Sequence, residues 1–350
     1  MEASAGKGHG HKWWWAVKIL LAVVLCWLVL RKTELSELVS LAKKAYGSGS
    51  VWLGVGLIPL AVALGAWRWQ KLLKTGGINL PYTKALLLTA VGNFFNHALP
   101  SLIGGDVVKA YYLMRSHPDH KSQTVISLLA DRMAGLGGLA IICLAAIALG
   151  WAGPVAAEIR WPMFLVVGLL ALATVVLFVP GLARRLRLSW LIERLPFQKL
   201  LGKLRQAVRL YSAQPGALVQ ALAVSVLIHW ILLSCVYLGG RALAPEAGYR
   251  TYLVLIPAIW MISSVPITPG AVAWMEWWYQ MFFARVGVSA TAALSLSLFN
   301  RLLWLLWALP GLIIYIKGPG LPAAEQYSIE QVEEILEEQT QGSTDERNRR

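Results

Sequence analysis

Apolar residues gather into long runs, and polar residues fall between the runs or at a few fixed points inside them. About 20 consecutive apolar helical residues cover the hydrocarbon core of a bilayer. Six runs reach or approach that length: 13–30, 51–72, 122–149, 161–179, 217–238 and 291–316. Four shorter helical stretches, 85–98, 107–114, 251–264 and 272–285, fall into two pairs. Each pair is interrupted by a proline and glycine break, at Pro100 with Gly104-Gly105 and at Pro266, Pro269 and Gly270. Proline cannot donate to a helix and glycine permits a tight path. Residues 181–212 instead alternate leucines with cations, the pattern of a helix lying on an anionic leaflet.

Composition makes the class firm. Of 350 residues, 57% are hydrophobic and 14% charged, where a soluble domain carries roughly a quarter charged residues. The expected fold is an all-α polytopic membrane protein. The formal charge is +14, and the cations sit between apolar runs, which favours anionic lipid over nucleic acid as partner. Cys26, Cys143 and Cys235 all lie inside apolar runs with no C-x-x-C spacing, so neither disulfides nor a zinc site is expected. The histidines of His9 to Lys12 belong to a disordered tail over 1–12 rather than a metal site, and no cofactor is expected. The first run lacks a small-residue cleavage site and is expected to stay as an anchor.

Lysine and arginine collect on the cytoplasmic side of membranes. Arg68, Lys71, Lys74 and Lys84 mark one such loop, and the segment 181–212 marks another. Lys7, Lys12 and Lys18 place the N-terminus inside, and the acidic tail over 318–350 follows it. Lys43 and Lys44 run against the rule in a loop expected outside. With these assignments, 85–115 enters and leaves from the cytoplasm, and 251–286 enters and leaves from the opposite face. The expectation is about six spanning helices plus two oppositely oriented re-entrant hairpins within a transport domain over 13–317. The expected localisation is the bacterial cytoplasmic membrane with both termini cytoplasmic.

The two hairpins align. Pro100 matches Pro269, and each is followed 32 residues later by an arginine within an apolar run, Arg132 and Arg301 (132 − 100 = 301 − 269). Units 84–151 and 251–317 are therefore expected to be inverted repeats. Broken helices at matching positions of inverted halves point to a transporter's substrate site.

Charges at helix centres in lipid cost roughly 2.5–3.5 kcal/mol. Arg132 and Arg301 therefore need carboxylates, carbonyls or a phosphate. Asp131 points about 100° away from its neighbour Arg132, which leaves Asp106, Glu276 and Asp131 as pairing acids across the hairpins. One outcome is a structural ion-pair network. The other is a cavity in which the guanidinium groups and the Gly104-Gly105 amides hold a lipid phosphate. Asp106 either caps its helix or contacts the headgroup. Asn93, Asn96 and His97 form a polar stripe one turn apart, for interhelical hydrogen bonds or, at His97, proton coupling. Lys109 is expected toward the cytoplasmic side, receiving an anionic headgroup or anchoring the interface.

These motifs resemble the lysylphosphatidylglycerol synthase transmembrane-domain family, the flippase-like half of the multiple peptide resistance factors. The resemblance covers about 13–317. It rests on Asn96 through Leu99-Pro100 to Gly104-Gly105-Asp106, on Asp131-Arg132, on Pro266 to Gly270 with Glu276, and on Arg301. The family usually shows a second glycine where this chain has Ala271. The resemblance implies movement of an anionic phospholipid, glycolipid or polyprenyl-phosphate carrier between leaflets, without enzymatic chemistry. A membrane-embedded transferase and a scaffold of an envelope-biogenesis complex are the alternatives. A second copy or envelope-biosynthesis enzymes are the protein partners it suggests.

Overall fold

The computed structural model describes residues 35–98, 104–151, 211, 214–264 and 267–317. They form nine α-helices: α1 (Leu35–Tyr46), α2 (Gly49–Thr75), α3 (Tyr82–Ala98), α4 (Gly104–Ser116), α5 (Lys121–Ala148), α6 (Pro215–Leu243), α7 (Tyr249–Ser263), α8 (Trp274–Ala284) and α9 (Ala290–Lys317). No strand occurs among the described residues. Short 3-10 turns sit at Pro118–His120 and Pro269–Ala271. Four helices, α2, α5, α6 and α9, are long and apolar enough to cross a membrane. The chain is an integral membrane protein. The expected runs 13–30 and 161–179, nearly all of 181–212, and the tail from 318 lie outside the described residues, as do Pro100 and Pro266.

The spans turn their bulky apolar side chains outward. Leu53, Leu60, Leu227, Trp230, Leu302, Leu305, Leu309 and Ile313 are all exposed, as suits helices solvated by lipid tails rather than water. In lipid there is little hydrophobic gain from helix association, so close approach and polar contacts must supply it. The interior shows both. The long helices α2 and α6 pack along each other, α3 packs on α9, and α5 packs on α6 and α7.

Helix α7 sits in the middle of the larger core, with every residue from Tyr252 to Ile259 buried. A helix apolar all round is one covered by protein all round. At 15 residues it spans only about 22 Å at 1.5 Å per residue, short of the roughly 30 Å hydrocarbon core. Helix α4, with 13 residues, is shorter still. A second core cluster joins Trp69 and Leu73 of α2, Ala85 and Leu88 of α3, Ala110, Tyr112 and Leu113 of α4, and Leu128 of α5.

Several boundaries differ from expectation for local reasons. Residues 35–46, expected as a loop, form a helix with Glu37 in its first turn and Lys43 and Lys44 in its last. That arrangement complements the helix dipole. Helix α4 begins at Gly104 rather than 107, so Gly104 and Gly105 belong to its buried first turn and not to the break. Helix α8 starts at Trp274 rather than 272 because Ala271 and Ala273 take left-handed backbone, φ 52° and 62°, beside Gly270 at 59°. Helix α6 runs on to Leu243, past the expected 238.

Candidate functional site

The ion pairs Arg132–Asp106, Arg301–Glu276 and Arg68–Asp131 lie in the polar interior, and the first two correspond. Asp106 is the third residue of α4, and Arg132 is the twelfth of α5. Glu276 is the third residue of α8, and Arg301 is the twelfth of α9. Arg132 Nε donates to Asp106 Oδ2 at 2.5 Å. Arg301 Nε donates to Glu276 Oε1, and its Nη2 to Oε2 at 3.1 Å. In each half a span thus carries an arginine to an acid in the first turn of the second short helix, where the helix dipole also favours negative charge.

The pairs differ in setting. Arg301 also donates from Nη1 to the Gly270 carbonyl at 3.2 Å and from Nη2 to the Ala271 carbonyl at 2.7 Å. At least four of its five donors are thereby engaged, and they clamp the left-handed loop that leads into α8. Ser297 Oγ adds a third donor to Glu276 at 3.3 Å, and Glu276 is only 6% exposed along its side chain. Arg132 is 45% exposed, and its acid Asp106 18%. The two arginines therefore pair within their own halves, one opening to the surroundings and the other bound into a loop.

The third pair was not foreseen. Arg68, which had served only to mark a cytoplasmic loop, turns inward: its Nε donates to Asp131 Oδ1 at 2.8 Å and its Nη1 to Ser225 Oγ at 2.6 Å. Both partners are largely buried, at 10% and 16%. Asp131 does point away from Arg132, as the helical angle requires, and finds its cation on α2. His229 Nδ1 donates to the Ser225 carbonyl at 2.8 Å beside this pair. Tyr211 donates to the Leu72 carbonyl at 3.0 Å. Burial, and then the charge of Asp131, push its phenol above the usual range, so it stays a donor.

The expected polar stripe divides between the two halves. Asn96 Oδ1 accepts the Gly105 N–H at 2.9 Å, so that amide is already capped rather than open to an anion. Asn93 Nδ2 reaches across to the Trp307 carbonyl of α9 at 3.4 Å. His97 Nδ1 donates to the Asn93 carbonyl at 2.8 Å, and its ring stacks on Trp304 with centroids 5.6 Å apart. Gly105 is required by contact: a Cβ there would enter the Gly92 carbonyl.

Lys109 is the largest departure in placement. It lies inside the protein at 8% exposure rather than at the interface, with Nζ 4.8 Å from the centroid of the Trp69 ring. Its stem runs along Gly92, where an added Cβ would come within 2.9 Å of Lys109 Cε. Pro269 opens the 3-10 turn before Gly270. Cys143 and Cys235 are buried and free. Among the described residues no group of three or more His, Cys, Asp or Glu is arranged to hold a metal.

The sequence profile of the lysylphosphatidylglycerol synthase TM region matches residues 15–311. The chain belongs to that family. The matched segment takes in all three ion pairs and both pairs of short helices. A UPF0104 membrane protein of Pyrococcus horikoshii is 19% identical over 324 residues, covering 85% of this chain and 95% of the relative. No solved structure matches. Membership in the lysylphosphatidylglycerol synthase TM-region family gives the chain a lipid-related setting.

Proposed function

We propose that the protein moves a lipid with an anionic headgroup between leaflets, with Arg132 and Asp106 at the headgroup site. The observation that carries this reading is the asymmetry of two corresponding ion pairs. Arg301, 30% exposed, is committed to the nearly buried Glu276 and two loop carbonyls, whereas Arg132, paired with Asp106, is 45% exposed and its acid 18%. A guanidinium in that position exchanges its carboxylate for a lipid phosphate, a bidentate match of the same charge. The short lengths of α4, α7 and α8 support re-entrant hairpins, and their matching acid and arginine positions support two inverted halves around the site. Acyl chains stay in lipid while the headgroup crosses by alternating access. We place the protein in the bacterial cytoplasmic membrane with both termini inside, following the distribution of Lys and Arg.

The test is translocation of fluorescent lipids in proteoliposomes, with phosphatidylglycerol, a glycolipid and a polyprenyl phosphate as substrates. Arg132→Gln is expected to abolish movement of the substrate that the wild type moves, with its thermal midpoint nearly unchanged. Wild-type rates in a folded Arg132→Gln protein, or no translocation of any anionic lipid by the wild type, would overturn the reading. The family's description names a synthase, which favours one alternative: a transferase acting on a headgroup. That alternative forms product in detergent, where no leaflets exist.

A further inference from the structure

Among the described residues, eight buried side-chain nitrogen and oxygen atoms have no hydrogen-bond partner, and six of them sit on α7 and α8: those of Tyr252, Trp260, Ser263, Trp274, Trp278 and Tyr279. A buried polar group without a partner is costly, and such groups are few in folded proteins. Their concentration on one pair of helices marks a place where partners come from outside the chain. Helices α7 and α8 pack on each other. Trp260 and Ser263 lie one turn apart on α7, as do Trp274 and Trp278 on α8. Trp260 faces the Tyr279 hydroxyl without reaching hydrogen-bond geometry.

The inventory of atoms selects the ligand. Three of them are indole N–H groups, which only donate, and the hydroxyls of Tyr252, Ser263 and Tyr279 each add a proton. The charges within range of Tyr279, Glu276 and Arg301, already pair with each other. Tyr279 also stands where Lys109 stands in the other half, three residues after the acid (279 − 276 = 109 − 106). This half therefore sets a neutral phenol in place of an ammonium. A donor-rich group of uncharged side chains suits neutral oxygen acceptors. Its surroundings are flat rings: Trp278 lies edge-on to Trp274 with centroids 5.2 Å apart, and 5.1 Å from Phe282. An edge-on ring absorbs an indole N–H weakly and leaves the hydroxyls unserved. Trp260, Trp274 and Trp278 are half-buried although their Nε1 atoms are fully covered, so parts of these rings reach the outer surface while the donors do not.

We propose that α7 and α8 form a second binding site, for a neutral ligand whose carbonyl oxygens sit on a flat ring, the class of the membrane quinones. Carbonyls accept without donating and so match the indole N–H groups of Trp274 and Trp278 and the hydroxyls of Ser263 and Tyr279. The ring packs against aromatic side chains and an apolar tail stays in lipid. The proposal is one of binding, with no electron transfer. It goes beyond the headgroup site at Arg132 and does not depend on lipid movement.

The experiment measures binding of decylubiquinone to the purified full chain in lipid nanodiscs by calorimetry. The controls are the same ring with both carbonyls replaced by methoxy groups, and dioctanoylglycerol, whose carbonyls are esters. The wild type is expected to bind the quinone about tenfold or more tighter than either control. Ser263→Ala, Tyr279→Phe and Trp278→Phe are each expected to weaken quinone binding by about fivefold or more. Without ligand, Ser263→Ala and Tyr279→Phe are expected to hold or raise the thermal midpoint, because each removes a buried atom that has no partner. A purely structural role would instead lower the midpoint and leave affinity unchanged. No quinone binding, equal binding of the quinone and either control, or unchanged affinity in the folded variants would overturn the proposal. Failure of lipid translocation in proteoliposomes would remove the transport reading and leave this site, and failure of quinone binding would leave the transport reading.

Discussion

Removing the charge of Glu276 should unfold the protein far more readily than removing that of Asp106, although both acids occupy the third position of a short helix and hold the corresponding arginine. Glu276→Gln keeps the shape but leaves the Arg301 guanidinium facing a neutral amide. Breaking a fully buried ion pair costs about 3–5 kcal/mol. Arg301 is 30% exposed and Glu276 6%, so solvent recovers part of this, and a loss of about 2–3 kcal/mol follows. The Arg132–Asp106 pair, at 45% and 18% exposure, falls nearer the surface range of about 0–1 kcal/mol. With roughly 2 °C per kcal/mol for a chain of this size, Glu276→Gln lowers the midpoint by about 4–6 °C and Asp106→Asn by about 2 °C or less. The 17 tryptophans make intrinsic fluorescence in detergent a suitable thermal assay. Adding Arg301→Gln to Glu276→Gln should restore part of the loss, because it removes the stranded charge. A midpoint for Asp106→Asn as low as that of Glu276→Gln would refute the account of the two pairs.

Two further outcomes follow from the backbone. Ala271 adopts φ 52°, a region that costs a residue bearing a Cβ about 1–2 kcal/mol. Ala271→Gly should therefore hold or raise the thermal midpoint, by up to about 2 °C after the entropy of the unfolded chain is counted. Gly105→Ala drives a methyl into the Gly92 carbonyl and should sharply reduce the folded yield on size-exclusion chromatography. Gly65→Ala, with nothing within 4 Å of the new methyl, should elute as wild type.

The hydropathy pattern was sufficient for α2, α5, α6 and α9, because spans in lipid must be long and apolar whatever they pack against. The spacing from each proline to its arginine anticipated that Arg132 and Arg301 occupy equivalent helical positions. Their different surroundings were not legible, since a one-dimensional pattern holds the residue but not its carbonyl partners. Arg68 shows the limit most clearly. A cation near the end of an apolar run looks the same whether it faces headgroups or turns inward, and its partner Asp131 is 63 residues away. The burial of Lys109 was not legible for the same reason: Gly92 and Trp69, which receive it, come from two other helices. The amphipathic helix over 35–46 was missed because the loop assignment followed from charge counting alone.

Helix α3 is gripped twice. Gly92 meets Gly105 of its own hairpin, and two residues earlier the Ala90 carbonyl meets Gly311 of α9. Two residues turn a helix by about 200°, so these bare contacts lie on opposite sides. With no side chain at either to act as a cushion, α3 has nowhere to slip, and any tilt it makes is felt at once by both halves of the molecule.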